Sequence, residues 1–368
     1  MQHELKSIVD HFYVGGRLTE IVPLARGHIN DTYILTTEDN GQPVRYILQR
    51  INHNVFKDPP SLMENVVRVT EHIRSKMAGI DPDQVARQLT VIGSDNGAGF
   101  HQDVNGNFWR VYNFIEDAVT YDTVQSAELA YEAARMFGWF LRMLTDLPGP
   151  ALHATIADFH DTSKRFETFG QVVKEDTCNR AKNAKAEIDF VFENVSLCSI
   201  LQRLTEEGEI PIRTTHNDTK VNNVMLDTAT NKGVCVIDLD TVMPGLSVHD
   251  FGDMVRTAAT LADEDERDLS KVTINLPMFE VLAKGFAEQT RHFLTAVEKK
   301  HLVFGAKLIT FEQCIRFLTD YLAGDIYYKV DRHGHNLDRT RAQMKLVQSI
   351  TEHEEAMSDV VERVFQRK

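Results

Sequence analysis

The chain has 368 residues, of which 42% are hydrophobic and 26% are charged, and it carries a formal net charge of -14. The length predicts two domains or lobes, and the acidic balance argues against a general nucleic-acid-binding or anionic-membrane-binding surface, since both need an excess of Lys and Arg. The four cysteines lie far apart without a C-x-x-C pair, so the sequence indicates neither a disulfide framework nor a zinc ribbon.

The N-terminus contains Glu4 and no apolar segment of signal-peptide length behind it. No stretch approaches the roughly 18 apolar residues of a membrane-spanning helix. We therefore expect a cytoplasmic protein that binds neither membranes nor nucleic acids, as a monomer or weak dimer.

The first third of the chain predicts a small lobe built on an antiparallel sheet. Helices are expected near residues 4–13 and over residues 61–77, where Leu62, Val66 and Val69 recur at helical spacing. Apolar and β-branched runs bounded by turn-forming residues predict five strands, over residues 21–24, 31–36, 45–51, 88–92 and 108–114.

From residue 126 onward the apolar pattern changes to helical spacing. Helices are predicted around residues 130–141 and over residues 188–204, 279–294, 311–330 and 339–364. Two short apolar runs, residues 224–227 and 234–237, flank a polar turn and predict a hairpin. The predicted fold is therefore α+β and bilobal, with a nucleotide-binding lobe of residues 1–116 and a larger, mainly helical lobe of residues 117–368.

The segment His216–Asn223 reads H-x-D-x-K-x-x-N, and Asp238 follows fifteen positions later. Phosphoryl transfer from ATP needs a carboxylate beside the acceptor hydroxyl, a cation near the moving phosphate, and oxygen ligands for magnesium. If Asp227 opposes Val234 in the hairpin, then Asn223 opposes Asp238. Such a set of hard oxygen ligands suits magnesium rather than zinc, so the motif predicts a kinase.

Together with Gly245 and Asp250, this motif resembles that of the aminoglycoside phosphotransferase-like family of small-molecule kinases, which shares the protein-kinase fold. Four further segments are similar to the N-acetylhexosamine 1-kinases, namely YILQRIN (46–52), FHDT (159–162), RFLTDY (316–321) and HNLDR (335–339). The resemblance covers almost the whole chain. It implies ATP as phosphate donor, Mg²⁺ as cofactor, and transfer to the anomeric hydroxyl of GlcNAc or GalNAc.

The resemblance also implies roles for the residues of the motif. Asp218 would be the catalytic base or orienting carboxylate, and Lys220 would offset the charge of the transferring phosphate. Asn223 and Asp238 would hold magnesium. Asp240 would either share the metal or hydrogen-bond nearby.

A second candidate for the metal-binding Asp is Asp250, because Asp250-Phe251-Gly252 spells the protein-kinase metal motif. It follows Asp218 by thirty-two residues, whereas Asp238 follows by twenty and ends the predicted hairpin. Position therefore favours Asp238. Asp250 is expected to brace the catalytic loop through His216 or backbone amides.

The predicted nucleotide site departs from the protein-kinase pattern. The loop of residues 26–33 has a single glycine, so a phosphate contact and a structural turn are both open. Arg50 ends the third strand where kinases carry a Lys, and Glu64 is its possible partner. Adenine is expected to meet backbone groups after the last strand. The nucleotide-binding candidates are Gly27, His28, Asn30, Arg50, Glu64, Tyr112, Asn113, Phe114 and Ile115.

For the sugar site the best candidates are Arg316 and Tyr327, with Asp325, His160 and Arg165 behind them. Each alone is equally consistent with a helix-face charge or the edge of the core. Two alternatives stay open: a kinase of the same fold for choline, homoserine, methylthioribose or an aminoglycoside, and a nucleotide-binding pseudokinase.

Overall fold

The computed structural model describes residues 2–24 and 29–366, and it divides into two units. The first, here called the sheet unit, comprises Met1–Val119, Met143–Ala157 and Met225–Pro244. The second, the helical unit, comprises Thr120–Arg142, Asp158–Val224 and Gly245–Lys368. The boundary predicted after residue 116 lies close to the end of the first segment. The prediction assigned the two later segments of the sheet unit to the other lobe.

The sheet unit contains the expected five-stranded antiparallel sheet, which confirms the predicted α+β fold. Its strands are β1 (Arg17–Pro23), β2 (Asp31–Asp39), β3 (Gln42–Ile51), β4 (His101–Gln102) and β5 (Phe108–Asn113). In space they follow the order β1-β2-β3-β5-β4. Asn40 and Gly41 join β2 to β3, and both have positive φ, as the favoured two-residue hairpin turn requires.

Two helices accompany this sheet. Helix α1 (Gln2–Val9) packs Leu5 and Ile8 against Leu48 of β3. Helix α2 (Pro59–Ile80) begins at Asp58, whose carboxylate accepts a hydrogen bond from the backbone N of Ser61 at 3.2 Å. Its apolar face, predicted from the spacing, is buried.

The predicted strand over residues 88–92 is wrong, because the fifth strand is β4. Residues 88–92 lie beside β5 with a single isolated bridge, between Val91 and Tyr112. The Asn113 side chain accepts a hydrogen bond from the backbone N of Thr90 at 2.8 Å and donates to the carbonyl of Gln88 at 3.0 Å. A side chain therefore satisfies backbone groups that a regular ladder would pair.

The predicted hairpin is present as β8 (Val224–Asp227) and β9 (Gly233–Val236). With β6 (Ala118–Val119) it forms a three-stranded sheet in the order β6-β8-β9. The turn closes when the backbone N of Asp227 donates to the carbonyl of Lys232 at 2.8 Å. Two further short strands are β7 (Arg213–Thr215) and β10 (Met243–Gly245).

The remaining helices are α3 (Ala127–Met143), α4 (Thr162–Glu175), α5 (Lys185–Glu193), α6 (Ile200–Glu206), α7 (Ser247–Ala258), α8 (Leu276–Thr290), α9 (Ala296–Lys300), α10 (Leu302–Ala323), α11 (His335–Glu352) and α12 (Glu354–Gln366). Helix α10 is mostly buried within the helical unit. Its residues Phe311, Ile315 and Leu318 form a buried cluster with residues of α4, α5 and α11. In the described residues, no helix has the length and apolar character to cross a membrane.

Three predicted helices depart most from the structure. The helix over 188–204 is two helices, α5 and α6, joined through a 3-10 turn. The helix over 311–330 begins at Leu302 and ends at Ala323, because Gly324 adopts a left-handed conformation with φ 104°. The helix over 339–364 begins at His335 and is interrupted at His353.

Candidate active site

The loop of residues 216–223, here called the catalytic loop after its predicted role, is held by carboxylates of α7. Asp250 accepts hydrogen bonds from the backbone N of His216 at 2.9 Å and of Asn217 at 2.8 Å. Asp253 accepts a third, from the backbone N of Thr219 at 3.0 Å. All these residues are buried, so carboxyl groups hold the loop backbone where bulk water does not compete for its N–H groups.

Of the two contacts expected for Asp250, with His216 or with backbone amides, the structure shows the second, from the backbone N–H groups of His216 and Asn217. Burial raises the pKa of Asp250 to about 7, although the two backbone N–H groups act in the opposite direction. Both carboxylate oxygens face backbone donors. Asp250 is therefore built into the loop support, despite the Asp-Phe-Gly sequence that it begins.

Asp218 lies within the catalytic loop between a cation and an amide. Its Oδ1 is 3.1 Å from Lys220 Nζ, and its Oδ2 accepts a hydrogen bond from Asn223 Nδ2 at 3.1 Å. Burial alone would raise the pKa of Asp218, but Lys220 and His216 outweigh burial and lower it. Asp218 in turn is the main cause of the raised pKa of Lys220. The pair is an ionised carboxylate beside an ammonium group at neutral pH.

The amide of Asn223 has a defined orientation. Its Nδ2 also donates to the backbone carbonyl of Asp218 at 2.9 Å. Because the amide nitrogen faces Asp218, the amide oxygen is the atom that Asn223 would offer to a cation.

Gly245 lies against the start of the catalytic loop. A Cβ atom at this position would come within 3.0 Å of both Thr215 Oγ1 and Asn217 Oδ1, closer than real Cβ atoms come. These two side chains also contact each other at 2.9 Å. The glycine expected here therefore makes room for the polar pair that begins the loop.

In the sheet unit, a second group of charges surrounds Asp240. Arg110 of β5 is 1% exposed and Asp240 is 2% exposed, and Arg110 Nη1 lies 2.5 Å from Asp240 Oδ1. Asn30 Nδ2 donates to Asp240 Oδ2 at 2.7 Å, and Gln49 Oε1 accepts from Arg110 Nε at 3.0 Å. Both oxygens of Asp240 accept from protein donors, which favours hydrogen bonding nearby over metal sharing. Metal binding by Asp240 stays a prediction.

Asp238 comes two residues after β9 and adopts a left-handed conformation with φ 60°. This conformation is uncommon for residues other than glycine, and Asp tolerates it better than most. Asp238 is exposed, in contrast to buried Asp240. The turn thus presents one carboxylate outward and holds the other inside the sheet unit.

Comparison with known proteins agrees with this geometry. The sequence model of the phosphotransferase enzyme family (APH) matches residues 20–273, more than half of the chain. The chain belongs to the phosphotransferase enzyme family. The expected small-molecule phosphotransferase class is thereby confirmed.

Solved structures show the same fold as this phosphotransferase at low sequence identity. A choline kinase from Cryptosporidium parvum is 12% identical with a TM-score of 0.58, and the match covers 100% of both chains. An aminoglycoside phosphotransferase from Alicyclobacillus acidocaldarius is 12% identical with a TM-score of 0.57, covering 98% of this chain and 96% of that one. A spectinomycin phosphotransferase, solved with ADP and spectinomycin, is 11% identical with a TM-score of 0.57, covering 96% and 98%.

The pairing expected between Arg50 and Glu64 is wrong. Arg50 Nε donates to Asp31 Oδ2 at 2.7 Å across the β2–β3 ladder, and both side chains are about half exposed. Glu64 instead contacts His153 at 3.0 Å. Among the described residues of the sheet unit, the buried cation is Arg110. Two other nucleotide-binding candidates, Gly27 and His28, lie outside the residues that the structure describes, so their predicted contacts stay predictions.

The side chains of the four candidates for the adenine contact lie in different surroundings. Tyr112 is buried, with its ring 5.1 Å from the Arg110 guanidinium carbon, and the Asn113 side chain anchors residues 88–90. Phe114 lies under Arg45 at 4.0 Å. Ile115 forms a small apolar cluster with Val234, Cys235, Ala118, Met225 and Ile237.

Arg316 and Tyr327 belong to one aromatic region of the helical unit. The guanidinium carbon of Arg316 lies 5.5 Å from the ring of Phe159 and 5.7 Å from that of Tyr328. Tyr327 is 60% exposed and contacts Tyr328. The loop carrying both tyrosines is fixed by buried Asp320, which accepts hydrogen bonds from the backbone N atoms of Ile326, Tyr327 and Tyr328 and from the side chain of Asn336.

The other three sugar-site candidates make internal contacts. Asp325 pairs with Arg180 at 2.5 Å. Arg165 Nη2 donates to the carbonyl of Phe159 at 3.1 Å. His160 contacts Glu312 and the carbonyl of Asn217 in the catalytic loop. These contacts assign structural roles, and sugar binding by the three residues stays a prediction.

One group of three His and Asp side chains in the described residues has ligand atoms within 4.8 Å of one another: His11, Asp95 and His101. The two imidazoles stack at 3.7 Å with an interplanar angle of 10°. A metal in the plane of one ring would lie outside the plane of the other, so this geometry is that of a stacked pair. His11 Nδ1 contacts Asp95 at 2.7 Å instead.

Sequence reasoning missed Arg110, Glu312 and the contact of Asp253 with the catalytic loop. An arginine between Trp109 and Val111, inside a predicted apolar strand, was the available signal for Arg110, because a buried charge needs a partner. Nothing in the local sequence identified the partner as Asp240.

Proposed function

We propose that this phosphotransferase is an ATP- and magnesium-dependent N-acetylhexosamine 1-kinase. The observation that carries the kinase assignment is the ionised Asp218, oriented by Lys220 and Asn223 on a loop whose backbone is fixed. The anomeric oxygen of GlcNAc or GalNAc attacks the γ-phosphorus of ATP while the bond to the β-phosphate oxygen breaks. The hydroxyl proton passes to Asp218, and ADP and the sugar 1-phosphate are released.

Magnesium suits the proposed donors. The amide nitrogen of Asn223 donates a hydrogen bond to Asp218, so its amide oxygen would be the metal ligand. Asp238 is exposed and would offer its carboxylate. Both are hard oxygen ligands. When bound, magnesium offsets the charge of the phosphate oxygens, and Lys220 supplies a further positive charge.

We assign nucleotide binding to residues 1–116 and catalysis with acceptor binding to residues 117–368. The support for an adenine position is the apolar cluster of Ile115, Met225 and Ile237, next to the backbone that follows β5. A flat base packs well on such side chains while backbone groups supply hydrogen bonds.

A neutral sugar is favoured over a cationic acceptor such as choline. The Arg316 guanidinium lies near Phe159 and Tyr328, so the aromatic rings that would attract a substrate cation already interact with a protein cation. The segments YILQRIN, FHDT, RFLTDY and HNLDR add the resemblance to N-acetylhexosamine 1-kinases.

The test is ADP release from ATP with GlcNAc, GalNAc, glucose, galactose, choline and homoserine, with the product position fixed by phosphorus NMR. We expect release with GlcNAc or GalNAc and a phosphate on the anomeric oxygen. Activity confined to choline would overturn the sugar assignment. Nucleotide binding without ADP release for any acceptor would support a pseudokinase.

A further inference from the structure

His160 connects the start of α4 to the catalytic loop through both nitrogens of its ring. Nδ1 lies 2.9 Å from Glu312 Oε1, and Nε2 lies 3.1 Å from the backbone oxygen of Asn217. The His160 side chain is 12% exposed and that of Glu312 is 2% exposed. A carbonyl oxygen can only accept a hydrogen bond, so Nε2 is the donor to Asn217.

Glu312 fixes the ring that makes this contact. Its second oxygen accepts a hydrogen bond from Thr162 Oγ1 at 2.7 Å, so both oxygens have partners. Burial alone would lower the pKa of His160, but Glu312 and the Asn217 carbonyl outweigh burial and raise it. The other charged or titratable groups facing His160 are Arg316, His249 and Asp250.

The peptide unit between Asn217 and Asp218 is held on both sides. His160 donates to its oxygen, and its N–H group faces His216 Nδ1 at 3.3 Å. Asn217 itself has φ 64°, an uncommon conformation that requires support from its surroundings. This peptide unit sets the direction in which the Asp218 side chain leaves the backbone.

We infer that His160 is a positioning residue for phosphoryl transfer: oriented by Glu312, it holds the Asn217 carbonyl and thereby aims the Asp218 carboxylate at the acceptor hydroxyl. The inference rests on the proposed function, because it assumes that Asp218 acts on that hydroxyl. In this inference His160 acts on the rate of phosphoryl transfer through the position of Asp218. The sequence analysis instead predicted a direct contact between His160 and the sugar.

Two substitutions separate the contacts of the His160 ring. In His160→Gln the amide nitrogen occupies roughly the position of Nε2 and can still donate to Asn217. In His160→Asn the amide nitrogen lies near the position of Nδ1, so the contact with Glu312 is kept and the contact with Asn217 is lost. We expect kcat to fall by about 10-fold to 100-fold in His160→Asn, since small misplacements of a reacting group have effects of this size, and by less than about 5-fold in His160→Gln.

The experiment measures initial rates with ATP and GlcNAc, or with the acceptor that the ADP-release panel identifies, and the affinity for a non-hydrolysable ATP analogue. We expect KM and nucleotide affinity to change by less than about 3-fold in both variants, because the loss lies in orientation. Glu187→Gln is the matched control for stability. It removes the charge from another buried carboxylate of the helical unit, paired with Arg341, and should leave kcat unchanged.

Unchanged kcat in His160→Asn would overturn the inference. Equal losses of kcat in the Asn and Gln variants would also overturn it, as would a rise in KM that accounts for the whole effect, since the latter is the signature of a sugar contact. Asp218→Ala separates the two hypotheses. If it retains turnover, the proposed function fails; if it is inactive while His160→Asn is fully active, only the positioning role fails.

Discussion

The catalytic loop of the helical unit and the Arg110 group of the sheet unit are both buried and charged, but they are held together differently. In the loop, Asp250 and Asp253 accept hydrogen bonds from the backbone N–H groups of His216, Asn217 and Thr219. Around Arg110, side chains from distant segments contact other side chains. In the catalytic loop these hydrogen bonds fix the backbone that carries Asp218. The stability of the Arg110 group, in contrast, depends on each buried charge keeping its partner.

The strongest test of the catalytic loop is Asp218→Ala. We expect turnover to fall by roughly 10²-fold to 10⁴-fold while nucleotide binding is largely retained, because the carboxylate acts on the acceptor. Steady-state rates and calorimetric titration with ATP measure the two effects. Asp359→Ala removes an exposed carboxylate of α12 and serves as the control. Unchanged turnover in Asp218→Ala would remove this residue from the mechanism.

The corresponding test of the sheet unit is Arg110→Met. It leaves Asp240 buried without its cationic partner, so we expect the free energy of unfolding to fall by about 3–5 kcal/mol. Urea denaturation measures this value. Arg17→Met breaks the exposed pair with Glu38 on the same sheet and should have a much smaller effect. Similar losses in the two variants would show that burial of the Arg110 pair has no special importance.

The pair of His160 and Glu312 predicts a pH-dependent difference between wild type and Glu312→Gln. Burial alone would raise the pKa of Glu312, but His160 and the other groups around it outweigh burial and lower this pKa to about 2. The contribution of Glu312 to the free energy of unfolding is therefore fully present above its ordinary pKa of 4.5, and it is lost as the pH falls through the pKa of the folded state. The pKa of His160 is raised in the folded state. The contribution of His160 to the free energy of unfolding is therefore fully present below its ordinary pKa of 6.5, and it is lost as the pH rises through the pKa of the folded state.

We therefore expect the stability difference to be largest near pH 5.5, at about 3 kcal/mol, and to shrink at pH 3 and at pH 8.5. Urea denaturation at the three pH values measures it. In Glu187→Gln the partner Arg341 keeps its charge throughout, so this control should show no decrease toward pH 8.5. A constant difference for Glu312→Gln between pH 5.5 and 8.5 would contradict an ion pair with His160.

The smallest expected effect comes from Gly245→Ala. The added methyl group would collide with Thr215 and Asn217, and we expect a loss of about 1–3 kcal/mol together with slower turnover. Gly170→Ala is the matched control, because it lies within α4 with nothing within 4 Å of the added atom and should gain about 0.5–1 kcal/mol. A stability gain in both variants would show that the start of the loop is not tightly packed.

The catalytic loop was predictable because its residues are consecutive and their chemistry is specific. Asp218, Lys220 and Asn223 lie within six residues and do contact one another. The helical and strand patterns likewise predicted α2, β2, β3 and the β8–β9 hairpin. Local patterns suffice where neighbours in sequence are neighbours in space.

The remaining features depend on partners far apart in the chain. Residues 88–92 have strand-like composition, yet the side chain of Asn113 occupies the backbone groups that a strand would use. Arg50 looked like the cation of the sheet unit, but Asp31 lies directly across the ladder and pairs with it at the surface. The pairing of Arg110 with Asp240 spans 130 positions, and no local pattern encodes it.

Helix α10 has a consequence for engineering. Glu312, Arg316 and Asp320 occur at intervals of four, and they contact in turn His160, the rings of Phe159 and Tyr328, and the loop with Tyr327. Within about 12 Å one helix thus supports both the catalytic loop and the proposed acceptor region. A mutagenesis library meant to change acceptor choice should therefore vary residues 326–328 and keep α10 constant, because substitutions along this helix would change specificity and turnover together.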